Sequence, residues 1–131
     1  MWKHGSAPFG DPNDIYSTTN LPNADALVAY HQKQIVGMLV FTFNKDILHI
    51  LSVDVLPDKR RKGVGSEMIR AFHTMAKKVL QPRGAKVMRI EIGEGNVIGK
   101  SFLEGNAFHH VDSKAGAHDD GDLLVLMRKI D

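Results

Sequence analysis

The chain has no cysteine among its 131 residues. That excludes a disulfide framework, a thiolate metal site and a cysteine nucleophile. No run approaches the ~20 apolar residues that span a bilayer. The opening MWKHGSAPFGDPNDIYSTTN lacks the apolar core of a signal peptide. Charge of one sign is missing too: 17 Lys and Arg against 15 Asp and Glu leave +2, too little by itself to argue for nucleic acid. The basic run DKRRK has no aromatic platform beside it and no second basic stripe, so a nucleic-acid partner is not expected. A cytoplasmic protein with no membrane association is the expectation. Aromatics are sparse, and the only tyrosines are Tyr16 and Tyr30.

What is present suits one domain over residues 1–131, since 43% of residues are hydrophobic and the length can bury a real core. Residues 1–25 are rich in Gly, Pro, Asn and Asp and read as an irregular arm. ALVAYH, IVGMLVFTF and ILHILSVDV then read as three strands of an antiparallel meander, the middle one apolar on both faces. Pro57 should end the third, because it cannot donate to a ladder. From Val64 the period becomes helical, with Val64, Met68, Phe72, Met75, Ala76 and Val79 on one stripe. QPRG ends the helix. KVMRIEI is a strand, VIGKSFLEG a short helix, AFHHV a strand, DSKAGAHDDGD a polar loop and LLVLMRK a last strand. The order is β-β-β-α-β-α-β-β. The sheet should be mixed, because the long helix must carry the chain to a parallel neighbour.

The least ordinary stretch is PDKRRKGVGSEMI, residues 57–69. A helix start leaves backbone N–H groups without partners and carries partial positive charge, so it binds anions. Gly63 and Gly65 would let oxygens approach the backbone closely, and Arg60, Arg61 and Lys62 add cationic donors. No GxxxxGK[ST] run is present, and GxGxxG fails because position 68 is Met.

Arg60-Arg61-Lys62-Gly63-Val64-Gly65 fits R/Q-x-x-G-x-G/A and resembles the acetyl-CoA pyrophosphate loop of the GNAT superfamily of N-acetyltransferases. The surroundings are similar too, from a strand ending VDVLP through the loop into an amphipathic helix. NVIGKSFLEGNAF resembles the family's N-x-x-A-x-x-x-Y-E-x-x-G-F segment. The resemblance covers Leu27 to the C-terminus. It implies an α/β (α+β) fold with a mostly antiparallel central sheet of six or seven strands flanked by two main helices. It also implies acetyl-CoA as co-substrate and an amine-bearing acceptor attacked directly. The pantetheine arm would bond to backbone groups of Val53, Asp54 and Val55, where the strand splays from its neighbour. The pyrophosphate would lie on Arg60, Arg61, Lys62, Gly63, Val64, Gly65 and Ser66. Asn96 would contact the pantetheine region while capping its helix, and Phe102 would pack on the cofactor arm or in the core.

Two departures from the pattern bear on chemistry. Leu103 stands where many members carry a tyrosine that protonates the departing thiolate; Ser101, His109 and solvent are alternative donors. His49 occupies the strand position where some members place a catalytic glutamate, and imidazole suits a base near neutrality. Glu91 could do the same through water. His109 and His110 are adjacent, so on a strand they point to opposite faces and do not make a metal site. His118, Asp119, Asp120 and Asp122 form an acidic stretch that either attracts a cationic amine or is a solvated turn. The short polar segment before Leu27 leaves three arrangements for the acceptor pocket: reduced, built by residues 1–25, or completed by a second subunit in a homodimer. A catalytically silent acyl-CoA sensor or interaction domain is the alternative to the enzyme.

Overall fold

The structure is a computed structural model, and it describes residues 2–4, 24–60, 62–118 and 121–131. Seven strands form one sheet: β1 (Trp2–His4), β2 (Ala24–His31), β3 (Gln34–Asn44), β4 (Ile47–Val55), β5 (Val87–Gly93), β6 (His109–His118) and β7 (Gly121–Lys129). Their spatial order is β1-β2-β3-β4-β5-β7-β6. Only β4 and β5 pair in parallel; every other neighbour is antiparallel. Helix α1 (Val64–Met75) connects the parallel pair, and α2 (Val97–Gly105) lies between β5 and β6. The mixed, mostly antiparallel α/β architecture is the expected one.

Three details differ from expectation. Trp2–His4, inside the supposed irregular arm, is a strand paired with Leu27–Ala29. Three residues are too few to carry a period; the edge of β2 defines this strand. Of the polar loop expected at 112–122, residues 112–118 and 121–122 instead belong to the strands β6 and β7. It escapes the alternation test because β6 is an edge strand exposed from His109 to Gly116. Its bulges and charged residues Asp112 and Lys114 are the devices that protect an edge from further pairing. Finally, Val79 is 46% exposed while Leu80 is buried. The helix widens into a π-helical segment over Ala76–Leu80, which adds a residue per turn and rotates the apolar stripe by one position. Gly84, at φ 105°, then ends it.

The main core lies between one sheet face and the two helices. Leu39, Phe41, Leu48, Ile50, Met88 and Leu126 of the sheet meet Ile69 and Phe72 of α1 and Leu103 of α2. The Phe41 and Phe72 rings pack tilted, 4.7 Å between centroids. Each fully buried side chain of this size stabilises the fold by roughly 1.5–3 kcal/mol. A smaller cluster of Ala26, Val28 and Val40 lies on the opposite face. This is why β3 is apolar on both sides.

Candidate active site

The sheet opens at its centre. β4 pairs with β5 only from Ile47↔Val87 to Ile50↔Ile90, yet β4 continues to Val55 and β5 to Gly93. The cause is a bulge in β4. Val40 opposes Ser52 and Phe41 opposes Ile50, so Leu51 is extra and sits 44% exposed. A bulge bends its strand and sharpens its twist, which takes the rest of β4 away from β5. Beyond it, Leu56 N–H donates to Val36 O at 2.9 Å. By the alternation of an antiparallel ladder, Asp54 then faces Met38, and the N–H and C=O of Val53 and Val55 turn into the gap.

Pro57–Lys59 form a single tight 3₁₀ turn at the end of β4. Arg60 folds back, its Nε donating to Val55 O at 3.1 Å. Arg61 lies outside the described residues; Lys62 is exposed at the turn. Gly63 caps α1 at φ 81°, the left-handed region that an L side chain enters at a cost. A methyl group there would meet nothing within 4 Å. The first bond of the helix is Glu67 N–H to Gly63 O, 3.0 Å, so Val64, Gly65 and Ser66 present N–H groups with no partner inside the helix.

Gly65 has a different reason to be glycine. A methyl group at Gly65 would lie 3.0 Å from Phe102 Cζ and 3.9 Å from Val55 Cγ2. The ring of Phe102 therefore reaches from α2 to the start of α1, and it also packs on the main core. Asn96 caps α2, its Oδ1 accepting from Gly99 N–H at 2.8 Å. At Gly99, which stands at the usual alanine, a methyl group would press on the Asn96 side-chain amide. Leu103 is 2% exposed and belongs to the core. Ser101 and His109 are exposed. One residue that sequence reasoning missed, Asn106, joins these elements: its Nδ2 donates to Ser66 Oγ at 3.2 Å and to Phe102 O at 2.8 Å.

On the face away from the helices, His49 stands beside Thr42 of β3 and Arg89 of β5. Strand alternation puts it there because Leu48 and Ile50 fill the core. Glu91 shares this face. Its Oε2 accepts from Arg89 Nη2 at 3.0 Å and from Lys114 Nζ at 2.8 Å. The Lys114 hydrogen bond holds the Glu91 carboxyl below the usual range against the opposing effect of burial, with the Arg89 charge adding to it. Glu91 is thus a weak base whose oxygen is shared by two cations. The sequence singled out His49 and Glu91 but not Arg89 and Lys114, because their meeting depends on which residues the register places side by side. Among the described residues no group of three metal-ligating side chains occurs. His110 Nε2 is engaged by Asp112 O and Ser113 Oγ. Asp119 and Asp120 of the acidic stretch lie outside the described residues. Asp122 Oδ1 accepts from Gly116 N–H at 3.1 Å, a bond within the hairpin.

The split sheet and the glycine-capped helix start lie side by side at the end of β4. A family model described as the acetyltransferase (GNAT) family matches residues 2–105, and the chain belongs to that family. No curated protein matches it. Solved structures share the fold. The ribosomal-protein-S18-alanine N-acetyltransferase from Escherichia coli superposes with a TM-score of 0.76 at 13% identity, over 99% of this chain and 94% of that one. A GNAT family acetyltransferase from Elizabethkingia anophelis with acetyl-CoA bound gives 0.77 at 14% identity, over 98% and 97%. A Bacillus subtilis acetyltransferase in complex with CoA gives 0.73 at 17% identity, over 88% and 82%.

Proposed function

We propose that this chain transfers an acetyl group from acetyl-CoA to a primary amine by direct attack. The observation that carries this is the gap between β4 and β5 ending at the open start of α1. The N–H and C=O of Val53 and the N–H of Val55 would hold the amide-bearing arm as an added strand. The N–H groups of Val64, Gly65 and Ser66, with Arg60, Arg61 and Lys62 around them, suit a pyrophosphate. Open space at Gly63 fits that use. Acetyl-CoA supplies the thioester: the amine nitrogen bonds to its carbonyl carbon, the C–S bond breaks, and the electron pair leaves on sulfur. With no cysteine in the chain, there is no thiol to carry the acetyl group in between.

Val53 N–H, turned into the gap, is the donor placed to stabilise negative charge developing on the acetyl oxygen. His49 is the candidate base. It is half-buried on the face away from the helices, and an imidazole suits a proton transfer near neutrality. Glu91, held as an anion by two cations, better orders Arg89 and Lys114 than accepts a proton. The thiolate leaves without a tyrosine, since Leu103 is a core residue; a thiol of ordinary pKa near 8.5 tolerates that.

Buried Leu103 also favours a second function, a silent acyl-CoA sensor with the same cofactor site. Calorimetry with acetyl-CoA, followed by thiol release across an amine panel, separates the two. Binding with turnover on at least one amine supports the enzyme, and binding without turnover supports the sensor. Absence of binding at millimolar acetyl-CoA would sink both. Gly63→Glu, which puts bulk and negative charge into the helix start, should abolish binding and leave the fold intact.

A further inference from the structure

We propose that Asn106 is a positioning residue for the cofactor pocket, acting through Ser66 as a clasp across the split sheet. The inference rests on acetyl-CoA binding at the start of α1. The gap separates two halves, one carrying β1–β4 and the start of α1, the other β5–β7 and α2. Between the start of α1 and the α2 side, two contacts fix the spacing: Phe102 against Gly65, and Asn106 to Ser66 at 3.2 Å. The first is apolar and non-directional. The second is a hydrogen bond whose polarity can be assigned.

That polarity follows from Phe102 O. A carbonyl only accepts, so the group 2.8 Å from it must be the amide nitrogen of Asn106. The same Nδ2 therefore donates its other hydrogen to Ser66 Oγ. Ser66 must then accept, and its own hydroxyl hydrogen is left to point elsewhere. Ser66 is the third residue of α1, in the turn whose free N–H groups face an anion. Asn106 thus leaves the Ser66 hydroxyl hydrogen available for an anion at that turn. It also holds the spacing that lets the N–H groups converge.

Asn106 is itself held firmly. Its N–H donates to Leu103 O at 2.9 Å, and the next two residues return N–H groups to Glu104 O and Leu103 O at 3.2 and 3.0 Å. Its carbonyl accepts from Arg128 Nη1 of β7 at 3.1 Å. Ala107 takes φ 68° to make the turn. The side chain is half-buried, so the clasp is anchored in the β5–β7 half and reaches across to α1.

The test is a double-mutant cycle on acetyl-CoA affinity by calorimetry, with Asn106→Ala, Ser66→Ala and the pair. Each single variant should bind about tenfold more weakly, as loss of one hydrogen bond to a charged group implies. The pair should bind no more weakly than Ser66→Ala alone. Asn106→Asp, which loses both donors and adds negative charge beside the turn, should bind more weakly than Asn106→Ala. With a turned-over amine, Asn106→Ala should raise KM for acetyl-CoA and leave kcat and the amine KM unchanged. Unchanged affinity in Asn106→Ala, or a further loss when it is added to Ser66→Ala, would overturn the clasp while leaving the cofactor site standing. Wild-type protein that fails to bind acetyl-CoA would overturn the site and the clasp with it.

Discussion

At the scale of single residues, identical types serve unlike ends. Gly63 is glycine for its backbone angle, Gly65 for the ring of Phe102 above it. The sequence offered one reason for both, room for oxygens to approach the backbone; the left-handed φ of Gly63 was not legible. The place of Gly65 under that ring needed the packing of α2 on α1. His73 is a further case. It sits on α1 among ordinary helix residues, yet its Nε2 lies 2.5 Å from Ile130 O, tying the helix to the chain after β7. Burial pushes its pKa below the ordinary imidazole value, with the Ile130 bond opposing and the charges of Arg128 and Lys77 adding to the fall. The folded state therefore binds fewer protons than the unfolded chain as pH drops below ~6.5. Stability from this group is complete above that value and is lost as pH falls toward the lower folded pKa. His73→Gln keeps a donor for Ile130 and removes the titration. Its melting temperature should fall less than that of wild type between pH 7 and pH 5. Parallel curves would show that His73 has the same pKa in the folded and the unfolded chain.

At the scale of elements, legibility followed burial. β3, β4 and β5 announced themselves because their side chains fill the core, and α1 because one stripe of it does. β6 did not, since an exposed edge strand imposes no alternation, and the π-helical segment after Met75 moved the last apolar contact from Val79 to Leu80. The β6–β7 hairpin is defined instead by polar bonds near the end of β5. Glu94 N–H donates to Asp122 O at 2.9 Å, and Asp122 N–H returns a bond to Glu94 Oε1 at 3.0 Å. Gly121 lies beneath that carboxylate at φ 122°. A methyl group there would collide with Glu94 Oε1. Gly121→Ala should therefore lower stability by roughly 1–3 kcal/mol, the usual cost of a side chain in a sparsely populated backbone region, read from the denaturant midpoint at unchanged m-value. Combining it with Glu94→Ala should recover only the steric part. A Gly121→Ala protein as stable as wild type would mean the hairpin end relaxes freely.

At the scale of the whole molecule, the fold is two half-sheets sharing four parallel rungs, and the proposed function rests on that division. The fold class and a helix start suited to anions were legible because both follow from local chemistry: strand period, helix period, and glycines where a helix begins; its use for acetyl-CoA was an implication of the resemblance. The gap itself was expected from the resemblance alone, since a bulge at Leu51 leaves no mark in an apolar strand. The cluster of His49, Arg89, Glu91 and Lys114 was legible only in part, because three separate strands contribute to it. A ligand that spans the gap should stabilise the molecule beyond what the rungs supply. At a concentration one hundred times its Kd, a ligand that binds only the folded state adds about 2.7 kcal/mol. For a chain of this length that corresponds to a rise in Tm on the order of 10 °C. Acetyl-CoA should give a shift of that size, and hydrogen exchange at the Val53 and Val55 amides should slow, because the added strand occupies those groups. In Gly63→Glu both effects should vanish together. A Tm shift that persists in that variant would place the ligand elsewhere than at the start of α1. A shift without protection of Val53 and Val55 would mean the anionic end is held while the arm stays outside the sheet.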